Sequence, residues 1–526
     1  MTQLDFSRSR NTVVVSDIHL ADVEDPGIHH HLWKQFKTRE HLIDQDFAAF
    51  LKEIQRKSKS PIELVFNGDI FDFDSVMVQP VSGDNFQSNI SWIERLRGLN
   101  AEEEKSRFKF KVILDTHPVW INEVRSFILA GNRVIFVIGN HDLELHWPAV
   151  QHDFLERLNL TQEFESQVRF CEWFYISNQD TLIEHGNQYD AYCLCSNPVH
   201  PLIKMGTKSQ IRMPFGNLAG KYMTNGMGFI NPHATESFIK SSVWEYVVFY
   251  FKYVFKTQPF LIWTWFWSAM ITLIYSLVEG FLPAMRDPLT VDSRLQEIAD
   301  RSNATVPMVL ALKEVHVHPA IFNPIKIMRE LWLDRALLLG TIFFISFQFF
   351  SFLNIFLPVS VFWIAFPMLF LVPAFILYAR NVESEVEDTQ RAAFRMAPLS
   401  AQVAKVRRIV QGHTHHEDHR LNGGVEVLNT GTWSAAFHDV ECTQPYGKKC
   451  FAWIRYPELN ADHRSPRPER VADLYEWVNH KAVLIPGRHQ PVQERASFNT
   501  KIQEKVLEET VTDLRSLIEG RAQDLL

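Results

Sequence analysis

The chain has 526 residues, a formal net charge of −8, and 13% aromatic residues, 41 of them Phe and 14 Trp. The length predicts two to four domains, and the acidic balance argues against a nucleic-acid-binding protein, which usually carries a basic surface. The five cysteines are too few, and odd in number, for a disulfide framework, so we expect a reducing compartment. The first fifteen residues lack a basic start followed by an apolar core, so we expect no cleavable signal peptide.

Five short polar motifs each follow an apolar run typical of a β-strand. In chain order they are D-I-H at 17–19, G-D at 68–69, G-N-H-D at 139–142, H-G at 185–186 and G-H-T-H at 412–415. The preceding runs are 12–15, 62–66, 134–138, 181–183 and 406–410. Because strand ends in an α/β sheet converge on one rim, these side chains are expected to share one site. Imidazoles, carboxylates and an amide oxygen without thiolate suit manganese, iron, zinc or nickel.

The order D-x-H, G-D, G-N-H-[DE], H, G-H-x-H resembles that of the calcineurin-like metallophosphoesterase superfamily. A single motif would be weak support, but five in order are specific. The resemblance covers roughly residues 11–190 and 400–435. It implies an α/β fold, a four-layer sandwich of two mixed β-sheets flanked by helices. It also implies a hydrolase with two metal ions, which cleaves a phosphoester or pyrophosphate bond by a metal-activated hydroxide.

The resemblance also implies a role for each motif residue. Asp69 would bridge the two ions, since one carboxylate can give an oxygen to each. The other ligands would be Asp17, His19 and His415 on the first ion, and Asn140, His185 and His413 on the second. We expect manganese in this site, with iron, zinc or nickel as alternatives.

His141 follows a ligand but is not a ligand in the family pattern. There it faces the substrate and protonates or stabilises the leaving oxygen, and Asp142 would orient it, as a carboxylate fixes an imidazole tautomer. We place Asn429 and Thr430 near the site because they follow the last motif.

Two further groups of residues leave alternatives open. Asp72 and Asp74 contact either substrate or the ligands, or lie in a solvated loop. The histidines after the first motif, at positions 29–31 and 41, line either a substrate cleft or an ordinary polar loop. No substrate-binding residue is predicted.

Two uncharged segments predict membrane helices. Residues 259–278 are long enough to cross a hydrocarbon core of about 30 Å, and residues 336–379 predict a hairpin that turns at 354–358. Because metal ligands on both sides of this insert must share one compartment, the number of crossings must be even. Residues 242–255 either make a fourth span or form an interfacial helix. We expect four crossings, with a monotopic embedding as the alternative.

The charge pattern gives an orientation and a division of the chain. Basic residues flank the apolar segments on the catalytic side, which places the active site in the cytoplasm. We divide the chain into the first part of the metallophosphoesterase domain (1–238), membrane-associated or transmembrane helices (239–285), a cytoplasmic-side helical insert (286–334), a transmembrane hairpin (335–380), the second part of the domain (381–456) and a C-terminal extension with a terminal helix (457–526).

A phosphoesterase site next to a membrane predicts the bilayer as a partner and an amphiphilic substrate, such as a lipid-linked phosphate or pyrophosphate. A family branch that acts on UDP-diacylglucosamine is similar in motifs but typically has Arg in place of His141. Two alternatives remain: a nucleotide or cyclic-nucleotide phosphodiesterase merely anchored to the membrane, and a catalytically silent membrane scaffold or sensor. The oligomeric state is not predicted.

Overall fold

A computed structural model describes residues 5–24, 32–81, 86–228, 231, 243–285, 290–358, 360, 363, 386–456 and 469–487. Three predictions fall outside these residues: the histidines at 29–31, most of the second arm of the 336–379 hairpin, and the terminal helix at 501–525.

Fourteen strands are found among the described residues, most of them in two sheets. Their bounds are β1 Asn11–Val15, β2 Glu63–Asn67, β3 Arg133–Val137, β4 Val168–Cys171, β5 Phe174–Ser177, β6 Thr181–Glu184, β7 Leu202–Met205, β8 Lys208–Ile211, β9 Arg408–Gln411, β10 Glu417–Asn422, β11 Val425–Thr430, β12 Cys450–Arg455, β13 Val471–Val478 and β14 Lys481–Ile485. The first sheet has the order β14-β13-β12-β1-β2-β3-β4, and the second has the order β10-β11-β9-β6-β5. Strands β7 and β8 form a separate hairpin.

The helices lie between the strands and in the long insert. Their bounds are α1 Asp44–Lys57, α2 Trp92–Arg97, α3 Glu103–Thr116, α4 Pro118–Leu129, α5 Pro148–Leu158, α6 Gln162–Glu165, α7 Phe215–Ala219, α8 Asn225–Met227, α9 Val243–Phe249, α10 Phe255–Thr257, α11 Leu261–Phe281, α12 Val291–Arg301, α13 Val306–Glu314, α14 Pro324–Glu330, α15 Leu333–Phe356 and α16 Val386–Ala404. Two π-helical turns join α7 to α8 and α9 to α10, at Gly220–Thr224 and Tyr250–Val254.

The two large sheets stack face to face, and the alternation of side chains along each strand explains why. On β2, Leu64 and Phe66 pack towards the helices, whereas Val65 packs towards the second sheet, as the two-residue repeat of a strand requires. The helical layer outside the first sheet contributes Phe47, Phe110, Trp120 and Phe154. These layers confirm the predicted fold class, a four-layer sandwich of two mixed sheets flanked by helices.

Helices α12 and α13 of the insert cover the outer face of the second sheet. Leu295 of α12 and Val309 of α13 are buried in one cluster with Leu182, Ile409 and Val427. Helices α12 and α13 form the fourth layer together with α16.

The sheet extends further along the chain than the sequence indicated. Strands β13 and β14 lie in the segment that we assigned to the C-terminal extension, yet they continue the first sheet beyond β12. Leu474 and Ala472 of β13 are buried in the core between the sheets, so residues 471–485 belong structurally to the catalytic domain.

The two predicted apolar segments behave differently. Among the described residues, only α15 has the length and composition of a membrane span, and just 6% of its most apolar stretch is buried, which is consistent with membrane association. The segment predicted at 259–278 forms α11, but α11 packs against the catalytic domain through Ala269 and Ile271. Helix α11 is therefore attached to the catalytic domain, whereas α15 is largely exposed.

Candidate metal centre

The motif residues occupy the carboxyl ends of five strands. Strands β1, β2 and β3 are parallel neighbours in the first sheet, and β6 and β9 are parallel neighbours in the second. The loops after them carry Asp17, His19, Asp69, Asn140, His185, His413 and His415. The expected meeting of strand ends on one rim is therefore observed.

The three side chains assigned to the first ion lie close together. Nε2 of His415 is 3.3 Å from Oδ1 of Asp17 and 3.2 Å from Nε2 of His19. One ligand-type atom from each of the three residues lies within 4.8 Å of the others. Their spacing therefore suits a single ion.

A second cluster lies beside the first. Asp69, His185 and His413 also offer atoms within 4.8 Å of one another, and Nε2 of His185 is 3.0 Å from Oδ2 of Asp69. The side-chain oxygen of Asn140 is buried and has no hydrogen-bond partner among the described residues. A buried acceptor without a donor is costly, so this oxygen fits the role of a metal ligand.

Asp69 lies next to side chains of both clusters. It forms a further group with His19, a residue of the first cluster, and with His141. This carboxylate is almost fully buried. Its position between the two clusters is the one that a bridging ligand requires.

The backbone at these positions is unusual. Five of the seven candidate ligands have left-handed φ values: Asp17 54°, His19 55°, Asp69 53°, His413 67° and His415 58°. Such conformations cost roughly 1–3 kcal/mol each for residues other than glycine and concentrate at functional sites. The fold therefore holds the candidate ligands in conformations that an unconstrained chain would avoid.

The loops approach each other so closely that glycine is required at two points. A Cβ on Gly139 would overlap the carboxylate and backbone nitrogen of Asp69, and a Cβ on Gly68 would overlap the ring of His185. Gly68 also has a φ of 79°. The glycines of the motifs therefore allow the ligand loops to come together.

Electrostatics favour the charged forms of the paired groups. Burial alone would raise the pKa of Asp69, but the charges of His185 and His141 hold it well below its ordinary value. Burial likewise favours neutral His185, yet the carboxylates of Asp69 and Asp17 raise the pKa of His185 to about 9. Both shifts arise because carboxylates and imidazoles are packed closely together in the site.

His141 lies beside the two clusters, but its carboxylate partner is not the predicted one. Nδ1 of His141 is 3.2 Å from Oδ1 of Asp72 and 3.8 Å from Oδ2 of Asp74. Burial opposes protonation of this ring, whereas Asp72 and Asp69 outweigh it and raise the pKa of His141 to about 10.

The predicted role of Asp142 in orienting His141 is wrong. Its two oxygens accept backbone hydrogen bonds from the amide of Gly139 at 2.5 Å and that of Ile70 at 2.9 Å. The side chain is fully buried, and burial raises its pKa to about 7. Asp142 therefore ties the loop after β3 to the loop after β2, because its position directly after the histidine directs it into the loop instead of towards the ring.

Two residues that the sequence did not single out support the ligand loops. Oδ2 of Asp190 is 3.0 Å from Nε2 of His413, a type of contact that orients metal-binding imidazoles. The Nδ2 group of Asn217 on α7 donates to the backbone oxygen of Asn140 at 2.8 Å and to Oδ2 of Asp74 at 2.5 Å. Asp190 could have been found from its position five residues after His185, whereas no sequence signal marks Asn217.

The segment after the last motif lies next to the site, as expected. Asn429 donates to the backbone oxygen of Gly412 at 2.7 Å, and the hydroxyl of Thr430 is 2.6 Å from that of Ser16. Both residues therefore brace the strand ends that carry Asp17 and His413, and their contacts are with the protein backbone and neighbouring hydroxyls.

A small cleft of about 60 Å³ adjoins the metal ligands. Its wall includes His19 and Asp72, together with His41, one of the histidines for which two interpretations were open. The remaining lining mixes apolar and polar side chains, among them Ile18, Leu20, Phe36, Lys37, Leu42, Ile43 and Ser434. The cleft therefore places apolar side chains next to the candidate centre.

Residues 10–206 match the family model described as calcineurin-like phosphoesterase. This part of the chain is a calcineurin-like phosphoesterase domain, as the motifs predicted, and the domain supports a metal-dependent phosphoesterase activity in general. The matched range contains five of the seven candidate ligands; His413 and His415 lie beyond it and reach the site through β9. No curated protein matches the chain.

Proposed function

We propose that this protein is a membrane-associated phosphohydrolase with two divalent ions, which cleaves a phosphoester or pyrophosphate bond of a lipid-linked substrate. The observation that carries the proposal is the position of Asp69 between two groups of metal-binding side chains. A phosphoesterase domain with one such carboxylate between two clusters is suited to hold a pair of ions.

The chemistry of the donor set fits divalent ions. In the proposal, Asp17, His19 and His415 hold one ion, and Asn140, His185 and His413 hold the other, with Asp69 between them. The donors are imidazole, carboxylate and amide, a combination that suits manganese, with iron, zinc or nickel as alternatives.

The ions would supply charge neutralisation at the phosphoryl group and a nucleophile at neutral pH. The protein would supply a proton donor and a carboxylate that orients it. His141 lies beside Asp69, whose Oδ1 accepts from the backbone amide of His141 at 2.8 Å, and Asp72 fixes the imidazole through Nδ1. We assign to His141 the donation of a proton to the leaving oxygen and to Asp72 the orientation of the ring.

Two features support an amphiphilic substrate. The cleft beside His19 has an apolar wall that includes Leu20, Phe36 and Leu42, which would contact an apolar group next to the phosphate. The exposed apolar helix α15 would bring that cleft to a membrane. An orientation with the catalytic domain in the cytoplasm follows from the basic residues that flank the apolar segments.

The test is a substrate panel on the full chain purified in detergent, with manganese added. The panel contains bis-p-nitrophenyl phosphate, nucleotides, and lipid phosphates and pyrophosphates in mixed micelles, and the Asp69→Asn variant serves as the control for contaminating activity. We expect metal-dependent hydrolysis that is fastest on a lipid substrate and absent in the variant.

Two results would contradict the proposal in different ways. A preference for nucleotides over every lipid substrate would indicate an enzyme for which the membrane is only an anchor. No metal-dependent hydrolysis of any compound in the panel would indicate a scaffold or sensor. Fractionation of cells with carbonate extraction tests membrane association separately, and release of the full chain by carbonate would contradict it.

A further inference from the structure

Helix α11 has its polarity reversed relative to a helix on the surface of a soluble protein. Its outward face carries large apolar side chains at helical spacing, and their exposed fractions are 70% for Trp263, 46% for Trp267, 51% for Ile274, 42% for Val278 and 81% for Phe281. A helix on a soluble domain turns its apolar stripe inwards and its polar residues to water. The face of α11 that leaves the protein is therefore the apolar one.

The polar residues of α11 point into the protein. Ser268, Thr272 and Ser276 are fully buried, and Glu279 is 3% exposed. Glu279 is held by the catalytic domain, because it accepts from the amide of Met213 at 2.8 Å and from the side chain of Gln210 at 3.2 Å. Thr272 and Glu279 therefore have hydrogen-bond partners on the inner side, whereas the hydroxyls of Ser268 and Ser276 have none among the described residues.

The catalytic domain holds α11 from end to end. Before the helix, the side chain of Gln258 donates to the backbone of Gly226 at 2.8 Å. In its second half, the ring of Tyr275 stacks on Tyr222 with centroids 4.8 Å apart. After the helix, the amide of Met285 donates to the backbone of Leu202 at 2.8 Å. A segment tied to an aqueous domain at its start, middle and end cannot cross a bilayer without drawing that domain into it.

We propose that α11 lies in the plane of the membrane, with its outward face in the hydrocarbon layer and its inner face on the catalytic domain. The proposal uses only the membrane association in the proposed function, not the substrate. Exposed apolar patches of this kind mark interaction surfaces, and two observations favour lipid as the occupant.

The first observation is continuity with the apolar helix α15. Helix α11 contacts both α14 and α15, and α15 is apolar and exposed on nearly all sides. The second is the composition of the segment before α11, where Trp244 and Phe251 are exposed beside the exposed cations of Lys252 and Lys256. Aromatic and basic side chains together are typical of the region where lipid headgroups meet hydrocarbon.

The arrangement places the metal centre close to the membrane. Helix α11 packs on α7, and Asn217 of α7 contacts the backbone of Asn140 and the carboxylate of Asp74. A single short helix therefore separates the membrane-facing helix from a ligand loop. With α11 in the membrane plane, the hairpin predicted at 336–379 makes two crossings of the membrane. Because two is an even number, the metal ligands before and after the insert share one compartment.

The experiment measures the depth of single nitroxide labels in the full chain reconstituted into vesicles of neutral and anionic phospholipid. Labels at Trp263→Cys, Ile274→Cys and Phe281→Cys sample the outward face of α11. Ile345→Cys, on the exposed surface of α15, serves as the reference for a spanning helix, and Leu484→Cys, 53% exposed on β14, serves as the reference for water. Wild type treated with the same reagent gives the background from the native cysteines, of which Cys193 and Cys442 are partly exposed. Oxygen collects in hydrocarbon, whereas a water-soluble nickel complex is excluded from it, so their relative effects on each label give its depth.

We expect the three α11 labels to be accessible to oxygen, shielded from nickel, and at similar depths, while the Leu484→Cys label contacts water. Positions 263 and 281 are about 27 Å apart along a helix, close to the thickness of the hydrocarbon core. A label deep at 274 with those at 263 and 281 near opposite surfaces would therefore show a span and overturn the proposal. Labels accessible to nickel, or shielded from both reagents by a second protein surface, would overturn it too. No outcome depends on hydrolysis, so failure here is separate from failure of the proposed activity.

Discussion

The carboxylate of Asp72 lies 3.2 Å from Nδ1 of His141, and this pair connects the loop after β2 with the loop after β3 at the edge of the metal centre. The neighbouring carboxylate of Asp142, which follows His141 in the sequence, is occupied by the backbone amides of Gly139 and Ile70. Asp72 therefore orients the imidazole, and we expect substitutions of the two aspartates to have different effects.

This difference gives the first prediction. His141→Ala should lower kcat by roughly 10²–10⁴-fold, the usual contribution of a positioned proton donor, with bound metal near the wild-type amount. Asp72→Asn should lower kcat in the same direction but by less, because the ring is kept and only its orientation and charge are weakened. Both losses should shrink for esters with good leaving groups, which need no proton. An equal loss on good and poor leaving groups would contradict proton donation.

The second prediction concerns the position of Asp69 between the two clusters. Asp69→Asn should abolish activity and remove more than one ion per chain, because both ions lose a ligand together. Asp17→Asn is the matched control, since Asp17 belongs to the first cluster only, and it should remove about one ion. Metal analysis of the purified variants measures both. Two ions still bound in Asp69→Asn would show that the carboxylate does not bridge.

The sequence was sufficient for the parts of the site that depend on strand order. Each motif directly follows an apolar run, and parallel strands deliver their carboxyl ends to one rim, so the meeting of Asp17, Asp69 and His185 could be predicted. Contacts that depend on the direction of a side chain could not be predicted. Asp72 and Asp142 are both aspartates near His141 in sequence or in space, and only the path of the loops decides which one reaches the ring.

The fold likewise has parts that the sequence predicted and parts that it did not. The two sheets were implied by the family resemblance, whereas β13 and β14 were missed because they follow a segment rich in proline and arginine. The uncharged run at 259–278 predicted a membrane span, and composition does not reveal that Tyr275 and Glu279 of α11 contact the catalytic domain. Long-range packing of this kind leaves no periodic signal in one sequence.

The third prediction tests how closely the loops must approach. Gly139→Ala should reduce metal affinity and activity, because the added methyl group would overlap Asp69 and displace its carboxylate. Gly220→Ala is the matched control: a Cβ at Gly220 meets no atom within 4 Å, so metal content should not change. Metal titration of both variants, alongside circular dichroism to verify folding, measures the effect. Wild-type metal affinity in a folded Gly139→Ala variant would show that the two loops have room to move apart.

The last prediction is a dependence of stability on pH that arises outside the ligand set. His146 is buried after β3, and neither ring nitrogen has a hydrogen-bond partner among the described residues. Burial, with a smaller effect of the Arg294 charge, lowers the pKa of His146 to about 3, compared with about 6.5 in an unfolded chain. Protonation therefore favours the unfolded state, so this contribution to stability is complete above pH 6.5 and is lost as the pH falls from 6.5 towards 3.

His146→Gln removes the titrating group, so the free energy of unfolding should fall less steeply with acidification than in wild type. The difference in slope should approach one proton, about 1.4 kcal/mol per pH unit, in urea unfolding of the full chain in detergent between pH 6.5 and 4. The control is His480→Gln, because the side chain of His480 is 73% exposed and its removal should leave the slope unchanged. Both proteins are measured with chelator present, so that protonation of metal ligands contributes equally. Parallel curves for His146→Gln and wild type would show that His146 takes up its proton in the folded protein.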